Sequence, residues 1–457
     1  MSPRPVEPSP DGLAILSRLW SAGHGAVLVG GGVRDQLLGR ASHDVDIATD
    51  ARPERVLELF PEGHRRGVFG TIDIGGVQVT TYRRDHVYAD HRRPDRVTFG
   101  SSLEEDLERR DFTVNAIAWG RRRPDDPPAL IDPVGGLPDL EAGLLRAVGD
   151  LDTRFAEDAL RLLRGARFAA ALDLEIEPAT LAAMRRHGDD VRWLSGERVG
   201  EELRRMLGTT QPSTAIRLLD AMGALRVVLP EVTDQHGVPQ AKIPGDDLFD
   251  HSMRTMDAAA GLPGSSLALV AAGLLHDIGK PDTASDGHFI GHAELGASMA
   301  RAALERLRWP GTLVERVGRL VHEHMFQFRP AWTDAAVRRF LRRVGLDLVD
   351  DILRLREADD IGSGMEGSPD LDLLRARVAA QRRADPPLGL GALVVDGNDV
   401  LREAGLPPGP WVGEYLERLL ASVVNDPRRN RRDVLLGDVR RWLAHPSTAP
   451  TDPTPDG

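Results

Sequence analysis

The alternation of apolar and polar positions changes character along the chain. Residues 11–22 read as a short helix leading into "AVLVGG", a continuous apolar run that ends on glycines and predicts a buried strand. From there to about residue 120, the β-rich runs "VDIAT" and "GVFGTIDIGGVQVTTYR" alternate with helical stretches such as "PERVLELF". That mixture predicts a small α/β or α+β domain. Beyond about residue 150 the strand signal nearly vanishes. "FAEDALRLLRGARFAAAL" and "ERVGEELRRMLG" instead carry apolar residues at helical spacing.

Breaker residues punctuate this pattern. "RRRPDDPPAL" (121–130) is a Pro- and charge-rich loop, and "TDQHGVPQAKIPGDD" (233–247) reads as a linker between helical blocks. The final "PSTAPTDPTPDG" has the composition of a disordered tail. The expected fold class is therefore α+β: a small mixed head followed by a long all-α body. The expected domains are a head over 12–148, a helical neck over 149–235, a histidine-bearing helical domain over 246–370, a C-terminal helical domain over 371–445 and a tail over 446–457.

Composition sets the outer limits. At 457 residues the chain exceeds a single core, and its 28% charged and 41% hydrophobic content is ordinary for a soluble protein. It has no cysteine, so any metal must sit on histidines and carboxylates. No apolar run approaches the roughly 20 residues of a membrane span, and the N-terminus lacks the apolar core of a secretory signal. A cytoplasmic protein with no membrane partner is expected. The net charge of −12 argues against a wholly basic, nucleic-acid-coating surface but leaves room for local basic patches. Of the 58 basic residues only Lys242 and Lys280 are lysine. A GC-rich coding sequence accounts for that bias, although arginine's planar fork also suits phosphate and base recognition.

Candidate chemistry begins at "LVGGGVRDQLLGRASHDVDIAT" (28–49). Glycines 30, 31 and 32 close a strand and open a helix, where backbone N–H groups can approach phosphate oxygens. A plain strand–helix turn would look the same. In "HDVDIAT", Asp44 and Asp46 alternate with Val45 and Ile47, so both carboxylates face one side of a strand, about 7 Å apart. A solvated strand face is one reading. The other is a cation between them, with Mg²⁺ and nucleotide phosphates the usual case. Their closeness to the glycine turn favours a single phosphate-handling site.

"GGGVRDQLLGR…HDVDIAT" resembles the head motif of the tRNA nucleotidyltransferases and their bacterial poly(A) polymerase relatives, within the polymerase-β-like nucleotidyltransferase superfamily. "EEDLERRDFTVNAIAW" (104–119), "FAEDALRLLRGARFAA" (155–170) and "SGERVGEELRRML" (195–207) resemble the motifs that follow. "VVDGNDVLREAGLPPGPWVGEYL" is similar to the tail of class II bacterial members. The resemblance implies template-independent transfer of CMP and AMP from CTP and ATP to a tRNA 3′ end, with release of pyrophosphate. Poly(A) polymerases and enzymes adding only C or only A share the head motifs and remain alternatives. A phosphohydrolase whose head merely binds nucleotide is a third. By the resemblance, Asp44 and Asp46 hold Mg²⁺, and Gly31, Gly32 and Arg34 contact the nucleotide phosphates or sugar. Arg110, with Asp111 beside it, fixes the nucleotide and organises the head. Superfamily members often carry a third carboxylate on the next strand; here that position offers Gln78, with Asp73 a weaker candidate.

"EDALRLLRGAR" places Glu157, Asp158, Arg161, Arg164 and Arg167 on an expected helix, the last four one turn apart in succession. A salt-bridged solvated face is one reading. The other is chemical: a carboxylate only accepts and a guanidinium only donates. Asp158 with Arg161 therefore matches the donor–acceptor edge shared by cytosine and adenine and opposes that of uracil and guanine. The resemblance assigns this pair to base recognition, with Arg164 and Arg167 also at the nucleotide.

Histidines gather in one third of the chain: His251, His276–Asp277, His292, His322 and His324, followed by Asp359–Asp360. The set resembles the HD domain, a helical metal-dependent phosphohydrolase fold. That resemblance implies His251, His276, Asp277 and Asp359 as metal ligands, with His292 and His322 as additional ligands or substrate contacts. Without thiols, such a site suits Mn²⁺, Ni²⁺, Mg²⁺ or iron. Basic pairs at Arg185–Arg186, Arg204–Arg205, Arg338–Arg339, Arg342–Arg343, Arg428–Arg429 and Arg431–Arg432 read singly as solvated faces, and together as a stripe for RNA phosphates. "DHVYADHRRPDRVTF" (85–99) is expected to be a mobile loop.

Overall fold

The computed structural model describes residues 5–41, 45–66, 70–86, 96–100, 102–240, 242–285 and 288–444. Asp44, residues 87–95 of the expected loop and the tail over 446–457 lie outside them. The chain divides into two compact units. One comprises residues 1–236 and 302–311; the other comprises 237–301 and 312–457.

In the first unit, α1 (Pro10–Ser21) starts as its sequence dictates, with Pro10 in the first turn and the Ser9 hydroxyl accepting from the Gly12 N–H. Besides a two-residue parallel pair, Leu144–Leu145 with Glu175–Ile176, the strands are β1 (Ala26–Val29), β2 (Asp46–Thr49), β3 (His64–Arg66), β4 (Thr71–Ile74), β5 (Val77–Thr81), β6 (Arg83–His86), β7 (Arg96–Phe99), β8 (Ala118–Arg121) and β9 (Ala129–Ile131). Seven of them form a sheet in the order β3-β4-β5-β2-β1-β8-β9, while β6 and β7 pair as a separate hairpin. Within the sheet β2 and β5 run parallel, with Asp46 opposite Gln78. The stretch 121–130 is the turn of the β8–β9 hairpin, its ends belonging to the strands.

Helices α2 (Gly31–Leu37), α3 (Pro53–Leu59), α4 (Leu103–Glu108) and α5 (Gly136–Ala142) complete the head. One sheet face packs Leu28, Ile47, Ile72, Val77 and Val79 against Leu16 and Leu19 of α1 and Val56 of α3. The other packs Val27, Val29 and Ala48 against Leu103 and Leu107 of α4. Each fully buried Leu or Ile contributes roughly 1.5–3 kcal/mol. Alternation along β2 puts Asp46 on the Ala48 side, away from Ile47 and the α1 layer.

The neck consists of α6 (Leu151–Glu157), α7 (Leu160–Leu172), α8 (Pro178–Arg186), α9 (Gly196–Leu207), α10 (Pro212–Ala221) and the single turns α11 (Leu225–Val228) and α12 (Pro230–Thr233). The continuous helix expected through 155–170 is broken. Asp158 is extended (φ −150°, ψ 102°), and its carboxylate accepts from the Leu160 N–H at 3.0 Å. An Asp at this point offers the backbone a cap instead of another helical turn.

The second unit is helical: α13 (Leu248–Gly261), α14 (Leu267–Leu275), α15 (Lys280–Thr283), α16 (His292–Arg306, its last residues belonging to the first unit), α17 (Gly311–Glu323), α18 (Asp334–Val344) and α19 (Val349–Gly362). Helix α14, "LALVAAGLL", is apolar on every side and buried from Ala268 to Leu275, which makes it the central element. It packs against α13 and α19. Helices α20 (Pro369–Ala384), α21 (Gly397–Ala404), α22 (Trp411–Asn425) and α23 (Arg432–Ala444) follow. Val400 of α21, Leu419 and Val423 of α22, and Leu435, Val439 and Trp442 of α23 form a core of their own.

Candidate functional site

The glycine turn is built for close approach. Gly30 lies at φ +74°, and a Cβ there would sit 3.0 Å from the Arg110 Nη1 atom. Gly31 and Gly32 open α2. Arg34, on the same helix, is buried; it donates to the side-chain oxygen of Asn115 and from Nε to Asp35 at 2.8 Å. Asn115 in turn donates to Asp111 Oδ1 at 3.0 Å, and the Arg164 Nε donates to Asp111 Oδ2 at 2.7 Å. A relay of side chains thus joins α2, the "RRDFTVNA" segment and neck helix α7.

Asp111 is spent on this relay: it also accepts the Phe112 N–H at 2.9 Å. Burial pushes its carboxyl up, but Arg164, Asn115 and Phe112 outweigh that and hold it at about 2. The Phe168 ring lies beneath three guanidinium groups, those of Arg34 and Arg164 at 5.1 Å and Arg167 at 4.1 Å. Arg167 pairs with the buried Glu202 of α9 at 2.6 Å.

Asp158 and Arg161 do not bond to each other through their side chains. Asp158 accepts two hydrogen bonds from Arg198 Nη2, at 3.1 and 2.8 Å. Arg161 Nη1 donates to the Arg154 carbonyl at 2.7 Å and to Glu157 at 2.8 Å. The helix break explains this, because it turns Asp158 off the face that a continuous helix would share with Arg161. Arg198, Asn115 and Glu202 carried no signal in the sequence beyond their place inside the quoted motifs.

At the other candidate positions, Gln78 sits beside Asp46 across the parallel β2–β5 pair, and Asp73 follows on β4 opposite Gln78. Asp73 is engaged by Arg66 at 3.2 Å and by the Gly76 N–H at 3.0 Å, so it anchors the β4–β5 turn.

The histidine cluster assembles inside the second unit. His251 comes from α13, His276 and Asp277 from the end of α14, His292 from the start of α16, and Asp359 from α19. His251 Nε2 lies 3.1 Å from Asp359 Oδ1 and 3.2 Å from His276 Nε2. His276 Nε2 lies 3.1 Å from Asp277 Oδ2. His324 is the fourth imidazole, its Nε2 3.5 Å from Asp277 Oδ1. His322 turns instead to the surface and to Glu323 at 3.1 Å. Two residues apart where α17 ends, the pair must point in different directions, and "VHEHMF" alone does not say which way each faces.

Burial disfavours both charged forms at this site, pushing the Asp277 carboxyl up. The neighbouring His276, His292 and His324 overcome that and hold Asp277 well below the usual carboxylate range. Asp359 is likewise lowered, burial being outweighed by His251, His276 and Lys242. Lys280 Nζ lies 2.6 Å from Asp277 Oδ2, and Lys242 Nζ 3.4 Å from Asp359 Oδ1. A cavity of about 620 Å³ opens over the cluster, walled by Phe289, Ile290, Met325 and Met365 and flanked by Lys242 and Arg356.

The arginine pairs expected to grip RNA are mostly engaged with acids. Arg186 pairs with Asp152, Arg342 with Glu417, Arg343 with Glu323, Arg429 with Asp438 and Arg432 with Asp399. Arg338 is buried and donates to the carbonyls of Val424 and Asn425, at 2.6 and 2.8 Å.

Comparison with known proteins agrees with this arrangement. Residues 26–146 match the family described as "Poly A polymerase head domain", 173–235 the "Probable RNA and SrmB- binding site of polymerase A", and 248–363 the HD domain. The chain is 33% identical over 442 residues to the CCA-adding enzyme of Geobacillus stearothermophilus, covering 95% of this chain and 96% of that one. It is 36% identical over 453 residues to the A-adding tRNA nucleotidyltransferase of Deinococcus radiodurans, covering 92% and 95%. The crystal structure of the Bacillus stearothermophilus CCA-adding enzyme in complex with CTP superposes with a TM-score of 0.69 at 29% identity, over 96% of this chain and 99% of that one. The Thermotoga maritima CCA-adding enzyme complexed with tRNA shares the fold, with a TM-score of 0.57 at 20% identity over 97% of this chain and 100% of that one.

Proposed function

The chain belongs to the bacterial CCA-adding tRNA nucleotidyltransferases that carry a poly(A) polymerase head and an HD domain, and from that premise we propose that it adds CMP and AMP, from CTP and ATP, to the 3′ end of tRNA in the cytoplasm. The observation that carries this reading is likeness to a named CCA-adding enzyme over 95% of the chain. Both the head and the HD families are metal-dependent. In the head, Asp44 and Asp46 would hold Mg²⁺, which neutralises the triphosphate and activates the attacking hydroxyl when bound. Asp46 fits that role: it stands half-buried at the start of β2, on the face away from α1.

The remaining steps fall to the chain's own groups. The turn at Gly30–Gly32 lets the phosphates approach the backbone, and Arg34 and Arg110 bring positive charge beside it. Asp158 and Arg161 read the base edge once Asp158 exchanges Arg198 for the exocyclic amine of C or A. A mismatched buried polar contact costs on the order of 1–3 kcal/mol, so two of them reject U and G strongly. Arg164 and Arg167, stacked about Phe168, hold the neck in register with the head.

The 36% identity to an A-adding enzyme favours a second reading, addition of the terminal A alone. The test is tRNA lacking its last three nucleotides, incubated with each labelled NTP singly and in pairs. CTP with ATP yielding three added residues establishes CCA addition. Extension only of tRNA that already ends in CC establishes the A-adding reading, and long A tails would refute both. Asp158→Ala should admit UTP and GTP. Unchanged rejection would remove the base-reading role.

The HD cluster supports a separate phosphohydrolase site in which His251, His276, Asp277 and Asp359 hold Mn²⁺, Ni²⁺ or Mg²⁺. Release of phosphate from a phosphomonoester, or opening of a 2′,3′-cyclic phosphate to a monoester, either one lost in His276→Ala, tests it.

A further inference from the structure

We propose that Arg40 is a positioning residue for nucleotide selection: it holds the helix that carries Arg161 in place against the turn that receives the triphosphate. This rests on the reading of Asp158 and Arg161 as the groups that face the base, and adds what keeps them in register. Arg40 stands just past α2, yet its side chain reaches the far end of α7. Its Nη1 donates to the Ala171 carbonyl at 2.6 Å and its Nη2 to the Leu172 carbonyl at 3.4 Å. Carbonyls in the last turn of a helix have no intrahelical donor, and the macrodipole there is negative. A guanidinium, forked and permanently charged, suits that end. Arg40 meets no acid among the described residues, unlike the arginine pairs of the neck and the second unit.

The hook is stiff. The Gly39 N–H donates to the Gln36 carbonyl at 2.9 Å and the Arg40 N–H to the Asp35 carbonyl at 2.8 Å, with Gly39 at φ +71°. That double bond pattern is the Schellman ending of a helix, which fixes the direction in which the chain and its next side chain leave.

Helices α2 and α7 are thereby joined at their C-terminal ends. They meet again midway, where the Arg34 guanidinium lies 5.1 Å from the Phe168 ring. The contacts come in the same order along both, Arg34 then Arg40 on one side and Phe168 then Ala171 on the other, so the two helices run in the same sense. Their beginnings are the two halves of nucleotide recognition: the glycine turn opens α2, and Arg161 stands in the first turn of α7. Fixing the far ends sets where the base-reading groups stand over the phosphates. Displacement of such groups by about 1 Å is enough to degrade their function.

Addition of one nucleotide to tRNA that already ends in CC, with ATP and with GTP, tests the role under either reading of the protein's activity. In Arg40→Met, kcat/KM for ATP should fall at least about tenfold through KM, while that for GTP stays within about twofold, so the ratio narrows. Inhibition by inorganic tripolyphosphate, which reports the phosphate turn alone, should change by less than about twofold. Arg40→Lys keeps a donor for the Ala171 carbonyl and should recover most of the ratio. Gly39→Ala disturbs the turn that aims the hook and should narrow the ratio in the same direction; it decides the matter if Arg40→Met does not fold. An unchanged ratio overturns the proposal. So does an equal fall in kcat for both nucleotides, the result expected if Arg40 merely steadies the connection to Asp46. A parent protein that adds GTP as readily as ATP would instead overturn the base-reading role beneath it.

Discussion

Asp111 shows how one side chain carries the head. Its carboxyl, held at about 2 against an ordinary 3.8, contributes about 2 kcal/mol of stability. Because the folded value is depressed, that contribution is present above about pH 4 and is lost as pH falls through about 2. In Arg164→Met burial prevails and the carboxyl rises. Urea unfolding should show the variant less stable by about 2 kcal/mol at about pH 7, the gap closing toward about pH 2. At the turn, Gly30→Ala places a methyl 3.0 Å from Arg110 at φ +74°. A stability loss of about 1–2 kcal/mol is expected, together with weaker nucleotide binding in a titration. Gln78→Glu adds a carboxylate directly beside Asp46, and tighter Mg²⁺ activation of nucleotide addition is the expected result. Residue identities were legible here because chemistry restricts them: a glycine at a tight turn, same-face aspartates, histidines near an Asp doublet. Which of His322 and His324 turns inward was not legible, because it depends on the angle at which α17 ends.

Among elements, the sequence pattern located strands and helices better than their order or continuity. Alternation along "VDIAT" and "VQVTT" identifies β2 and β5, but their parallel pairing is a long-range choice that no local period encodes. The break at Asp158 escaped a periodicity reading because "FAEDALRLLRGARF" keeps helical spacing across it, while the local hydrogen bond from Leu160 interrupts the backbone. Helix α9 carries a different lesson. Gly196 and Gly200, one turn apart, lie against the backbone of residues 306–307, and Cβ atoms there would come within 2.2 and 2.0 Å of the Arg306 and Leu307 carbonyl oxygens. Backbone cannot yield as a side-chain tip can. Gly200→Ala should cost about 1–3 kcal/mol, which lowers the melting temperature by several degrees, roughly 2–4 °C per kcal/mol for a unit of this size.

For the whole chain, the contribution of residues 302–311 to the first unit means that no single cut separates the two. A fragment ending at residue 236 would lack Leu307 and Trp309, both buried, and bare the glycine face of α9. It should melt lower than the same unit in the full chain, or aggregate, in a calorimetric comparison. The two chemistries remain separable by substitution: Asp46→Ala should abolish nucleotide addition and spare phosphate release, and His276→Ala should do the reverse. Arginines dominate the basic surface, but with many already paired to acids, salt-dependent tRNA binding should report fewer phosphate contacts than their number suggests.

Two lysines in 457 residues also make the protein a natural reporter of its own pocket. Apart from the chain's first amine, an amine-directed acylating dye can attach only at Lys242 or Lys280. Labelling at the two lysines therefore follows that cavity, and protection of them against the dye would register whatever enters it, with no engineered handle required.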